Sequence, residues 1–185
     1  MAAANPLIGR LTEGNRKYQR STVSALDVSP ALREQTAREG QKPYAIVVCC
    51  SDSRMIPEAV FSAGLGELFV IRVAGNVLDR HQLGSIEYAA EHLGCKLILV
   101  LGHTGCGAVA AALGGETEGF VRYITDEIRL AAGDERDPDL ACEKNVLHAV
   151  ESIRRSFAEH PEIPSEGLDL RGAVYDIRSG AVRWL

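Results

Sequence analysis

Three uninterrupted apolar runs, Ala45–Cys50, Leu68–Ile71 and Leu97–Leu101, constrain this chain more than any other feature. A strand with one wet face alternates apolar and polar residues. A run with no polar member marks a strand covered on both faces, as in a parallel sheet between helices. Between the second and third runs, Leu83, Ile86, Ala90 and Leu93 recur at helical spacing and stop at Gly94. Gly105 to Leu113 reads as a further helix, and Asp137-Pro138 opens a long one with Leu140, Leu147, Val150, Ile153 and Phe157 facing inward. Ala173–Tyr175 begins a weaker fourth strand, and the Ser179-Gly180 turn returns Val182–Trp184 as an antiparallel edge. Strands alternating with helices imply right-handed crossovers. The expected fold is α/β, a mostly parallel central sheet of about four strands plus a C-terminal antiparallel edge strand, flanked by helices.

Asn5 can cap a first helix with Pro6 at its first position, and Leu7, Ile8, Leu11 and Tyr18 form its stripe. A second short helix spans Ser29 to Arg38 and ends before Gly40. With 185 residues and no repeat or linker, the expectation is one domain, a helical arm at 1–40 on an α/β core at 41–185. A net charge of −5 with no basic cluster argues against a nucleic-acid binder. The N-terminus lacks a basic segment followed by a long apolar one, and no apolar run could span a bilayer, so a cytoplasmic protein without a membrane partner is expected. Five cysteines, two of them adjacent, do not look like a secreted disulfide framework; in a reducing compartment they are better read as metal ligands or reactive thiols.

Ligands of open parallel sheets bind at the carboxyl ends of the strands. Two chemically loaded segments fall there. Cys50-Ser-Asp52-Ser-Arg54 follows the first run, and His103-Thr-Gly-Cys106-Gly107 follows the third. Two thiolates and one imidazole form a soft, compact set that suits zinc and leaves a fourth position for water or another oxygen. Cys106 lies in the opening turn of a helix, where free N–H groups favour a thiolate. Asp52, two residues beyond Cys50, falls on the same side if the chain continues extended. Arg54 can hold that carboxylate by a bidentate pair that Lys cannot reproduce. Gly102, Gly105 and Gly107 could instead form a phosphate-binding turn, but their order is not that of the dinucleotide fingerprint.

These segments, with Leu68-Phe-Val-Ile-Arg72, Ala74-Gly75-Asn76 and Ser85-Ile-Glu87-Tyr88, resemble the β-class carbonic anhydrases, most specifically from Gln41 to Ala112. The resemblance implies reversible hydration of carbon dioxide to bicarbonate and a proton. It implies one zinc per chain on Cys50, His103 and Cys106, and a hydroxide nucleophile oriented by an Asp52–Arg54 dyad. Asp52 can itself take the fourth zinc position in a closed state, as in some members. Gln41, Phe69, Tyr88 and Gly107 would bound the substrate pocket, although periodicity alone makes Phe69 and Tyr88 core residues. The active unit would be a homodimer or homotetramer, with the first helix reaching across to a partner.

Cys49 points away from Cys50, and neither it nor Cys95 nor Cys142 is expected as a ligand. His81, His92, His148 and His160 read as surface residues. Val73 replaces an Asn common in that family, and Val47 stands where members with a regulatory bicarbonate site carry Trp. Two other functions fit parts of the pattern: a zinc hydrolase of carbon disulfide or carbonyl sulfide, and a non-catalytic zinc or redox sensor using Cys49 and Cys50. The sensor gives Asp52 and Arg54 no role.

Overall fold

The computed structural model describes residues 5–21, 26–115, 118–160 and 167–185. Five strands form one sheet: β1 (Ala45–Cys49), β2 (Leu68–Arg72), β3 (Leu97–His103), β4 (Asp169–Tyr175) and β5 (Val182–Trp184). Their order is β2-β1-β3-β4-β5, parallel throughout except for the antiparallel β4–β5 pair. Every residue of β1 and of β3 is buried, as unbroken apolar runs demand. The helices are α1 (Pro6–Arg20), α2 (Pro30–Glu39), α3 (Pro57–Val60), α4 (Arg80–Glu91), α5 (Gly107–Gly114), α6 (Val121–Ala132) and α7 (Pro138–Glu159). None of the described helices is long and apolar enough to cross a membrane.

Several boundaries differ from those read in the sequence. Ala173–Tyr175 ends β4 rather than beginning it. The Gly105–Leu113 helix starts only at Gly107, so Cys106 is its N-cap. Leu140 and Leu147 do not face inward: they are 48% and 50% exposed. The buried stripe of α7 is Cys142, Asn145, Val146, Ala149, Ile153 and Phe157, which places that pair of leucines on its flank. Helix α6 has no counterpart among the elements expected from the sequence; Thr125, Ile128 and Ala132 form its buried side.

Glycines let α7 approach the sheet. A Cβ on Gly102 would lie 2.5 Å from Val146 Cγ2, and one on Gly172 would lie 2.9 Å from Val146 Cγ1. Val146 therefore sits in a notch between β3 and β4, which fixes α7 beside the carboxyl end of β3.

Helix α2 buries none of its residues. Helix α1 lies on its own chain: Leu11 is fully buried, and a Cβ on Gly14 would fall 1.8 Å from the Phe61 carbonyl oxygen. The buried Asn15 amide donates to the carbonyls of Val60 (3.1 Å) and Gly180 (2.8 Å), and its oxygen accepts from Val182 N (3.0 Å). Apolar burial and these bonds tie α1 to the β4–β5 turn.

Candidate metal centre

Strands β1 and β3 are neighbours, so their carboxyl ends bring Cys50 and His103 side by side. From His103 the chain turns through Gly105, at φ +63°, and presents Cys106 as the N-cap of α5. One ligand atom from each of Cys50, His103 and Cys106 lies within 4.8 Å of the others, and all three residues are buried. The two sulfurs are 4.0 Å apart.

The imidazole is oriented for ligation. His103 Nδ1–H donates to the Thr104 carbonyl at 3.0 Å, which leaves the Nε2 lone pair free. Nε2 is one of two buried side-chain polar atoms with no hydrogen-bond partner among the described residues. An orphaned buried nitrogen facing two sulfurs is costly unless a cation completes it. The donor set fits zinc.

The two thiols share one hydrogen bond and do not ionise independently. A hydrogen bond from Cys106 draws the Cys50 thiol down against its burial, and the Gly75 N–H adds to the pull. The same bond, and then burial, push the Cys106 thiol up. Burial works against the His103 imidazolium, but the Thr104 carbonyl and the negative charges of Cys50 and Asp52 leave it raised. Burial holds Cys49 at about 12 and Cys142 at about 11, so both stay neutral thiols.

Asp52 lies at the rim, its Oδ2 3.9 Å from His103 Nε2. Arg54 donates to it three times, from its backbone N and Nε to Oδ1 (both 2.9 Å) and from Nη2 to Oδ2 (2.6 Å). This grip holds the Asp52 carboxyl well below the usual carboxylate range. Arg54 Nη2 also reaches the Gly105 carbonyl at 3.1 Å, which joins the two loops. Arg72, which is not among the residues expected at the site, donates to the carbonyls of Cys50 (3.2 Å) and Asp52 (2.8 Å). Its one visible signal was membership in the Leu68–Arg72 segment.

The pocket residues do not all gather here. Gly107 opens α5 directly after Cys106, and a Cβ there would meet nothing within 4 Å. Phe69 and Tyr88 do meet each other, ring centroids 6.3 Å apart, but on the edge strand β2 and helix α4. Phe69 pairs with Ile46, four residues before Cys50, or about 13 Å along the strand. Tyr88 is 47% exposed and Gln41, before β1, is exposed. His81, His92 and His160 are exposed and His148 is partly buried.

The carbonic anhydrase family profile matches residues 45–182. Carbonic anhydrase 2 of Mycobacterium tuberculosis is 35% identical over 97% of this chain and 93% of its own length. The carbonic anhydrase of Pseudomonas aeruginosa is 33% identical over 93% and 84%. The crystal structure of the β-carbonic anhydrase CafA of Aspergillus fumigatus superposes with a TM-score of 0.76 at 30% identity, covering 84% of this chain and 81% of that one. The β-carbonic anhydrase CcaA gives 0.73 at 28% identity, covering 96% and 94%. The chain belongs to the β-class carbonic anhydrases. The Cys–His–Cys cluster at the mouth of β1 and β3 is thus the candidate metal centre of a β-carbonic anhydrase fold.

Proposed function

We propose that this protein catalyses the reversible hydration of carbon dioxide to bicarbonate and a proton, with one zinc ion held by Cys50, His103 and Cys106. The observation that carries this reading is His103 Nε2, buried and unpartnered, facing two sulfurs with the clamped Asp52 carboxylate beside them. When bound, zinc supplies a Lewis-acid centre that acidifies water near neutral pH. The chain's own residues supply orientation. Ionised Asp52 is an acceptor only, so it takes the hydrogen bond of the attacking oxygen and turns a lone pair towards the carbon. Arg54 hydrogen-bonds both carboxylate oxygens, a hold that would compete with ligation of the metal by Asp52. Loss of that grip would free Asp52 to close onto the metal.

Within one chain the pocket is unfinished. Partly buried Phe69 and exposed Tyr88 form an aromatic pair at the sheet edge, removed from their own chain's cluster. The homodimer implied by the family resemblance would let Gln41, Phe69 and Tyr88 of one chain cover the centre of the other. Stopped-flow measurement of carbon dioxide hydration tests the activity. The zinc-loaded protein should accelerate hydration and the chelated protein should not. Equal rates with and without zinc would refute it.

A further inference from the structure

Helix α7 contributes no ligand, yet two of its side chains bond to the backbone around the centre. The Cys142 thiol donates to the His103 carbonyl at 3.3 Å. Asn145, only 3% exposed, donates from Nδ2 to the Gly75 carbonyl at 2.7 Å. Gly75 in turn donates its N–H to Cys50 Sγ at 3.2 Å.

That glycine is tightly determined. It sits at φ +67°, and a Cβ there would lie 2.6 Å from Ile128 Cδ1 and 3.1 Å from Ala108 Cβ. A left-handed glycine without a side chain can turn either flanking peptide at little cost unless something holds it. Here the Asn145 amide holds the carbonyl side, and the N–H side then points at sulfur. Asn145 is itself placed by Val146, the next residue, which is wedged between Gly102 and Gly172.

We propose that Asn145 is a positioning residue of the metal centre: by holding the Gly75 carbonyl it fixes the left-handed turn at Gly75, so that the N–H of the preceding peptide stays on the Cys50 sulfur when metal is bound. An N–H donated to a thiolate withdraws electron density from sulfur and leaves the metal more electron-demanding. Partners of this kind that are not ligands themselves commonly set metal affinity and reactivity. The role rests on the proposed zinc reading and extends it to a helix that touches neither metal nor substrate.

Cadmium-113 suits thiolate sites and has a magnetic nucleus, so an N–H···S–Cd path transmits a measurable coupling to the amide proton. In the cadmium-loaded wild type, the Gly75 amide proton should couple to the metal. Asn145→Ala should lose that coupling and weaken zinc binding about 10- to 100-fold in chelator competition. Ile153→Val, a buried change further along α7, should leave both unchanged. If the alanine variant does not fold, Asn145→Ser serves, because its hydroxyl is too short to span the bond, and the same losses are expected. Cadmium binding with no Gly75 coupling, or coupling and affinity unchanged in a folded Asn145 variant, would overturn the inference while leaving the zinc reading intact. A wild type that binds neither cadmium nor zinc at the cluster would remove the zinc reading, and this role with it.

Discussion

Arg54 grips Asp52 with two parallel side-chain bonds, Nε to Oδ1 at 2.9 Å and Nη2 to Oδ2 at 2.6 Å. A planar fork makes this geometry; an ammonium offers the same charge from a single point. Arg54→Lys should therefore retain zinc and fold normally but lose the fixed aim of Asp52. A charge-assisted hydrogen bond contributes about 1.5–3 kcal/mol, so hydration should slow roughly tenfold or more. Metal content and stopped-flow rates on one preparation check this. Wild-type rates would reduce the pair to a surface ion bridge.

Cys50→Ala, His103→Ala and Cys106→Ala should each lose metal and activity together. Three protein ligands are the usual minimum for a catalytic zinc, so removing any one should weaken binding severely. Elemental analysis after dialysis is the measurement. Full zinc retention in any of the three would overturn the ligand assignment.

A mixing experiment separates a pocket made within one chain from one shared between two. Cys106→Ala removes a ligand, and the double variant Phe69→Ala, Tyr88→Ala removes the aromatic pair; each alone should be nearly inactive. In a mixed two-fold dimer, one site combines an intact cluster with an intact pair. Random reassortment should then restore about a quarter of wild-type activity. Activity no greater than the sum of the two variants would place the pocket within a single chain.

What was legible in the sequence follows from which interactions are local. Cys50-Ser-Asp52-Ser-Arg54 and His103-Thr-Gly-Cys106 are short segments at the ends of unbroken apolar strands, so pattern and position carried the cluster. The strands and the final hairpin were equally visible, because continuous runs and a Ser-Gly turn are local signals; the order β2-β1-β3-β4-β5 was not, because strand neighbours are set by contacts distant in sequence. Contacts between distant residues were hidden. Asn145 and Gly75 are 70 positions apart, and nothing around Asn145 distinguishes it from a polar residue on a helix flank. Leu140 and Leu147 misled because the buried stripe of α7 is built partly of small or polar residues, Ala141, Cys142, Asn145 and Ala149, which hydrophobicity underweights. The docking of α1 depends on Gly14 and Asn15 as well as on buried Leu11, and the first two carry no hydrophobic signal.

Asn15 therefore offers a test of that docking. Asn15→Ala strips partners from the Val60 and Gly180 carbonyls and from Val182 N, all reached by one buried side chain. Leaving such groups unsatisfied should cost about 2–4 kcal/mol, seen as a lower urea midpoint with zinc content unchanged. A loss under about 0.5 kcal/mol, the range of ordinary surface changes, would show that α1 is not held this way.

The pH dependence of activity should not come from Asp52. Arg54 lowers its folded carboxyl below the usual value of about 3.9, so Asp52 is ionised throughout the neutral and alkaline range. The sign for stability follows. A depressed carboxyl stabilises the fold above its unfolded pKa, and that contribution fades only as pH falls towards the lower folded value. The stability gap between wild type and Asp52→Asn should thus be constant above about pH 4 and narrow below it. Hydration should instead climb through neutral and mildly alkaline pH as the attacking water loses its proton, and be weak in acid. Val47 is fully buried within β1, and the family resemblance implies that it replaces the Trp of members with a regulatory bicarbonate site. Added bicarbonate should therefore inhibit only as product, with no cooperative shutdown. Rate profiles from pH about 6 to 9 at several bicarbonate concentrations test both points. A flat profile would sink the acidified-water mechanism, and steep bicarbonate cooperativity would mean that another residue does the work of the missing Trp.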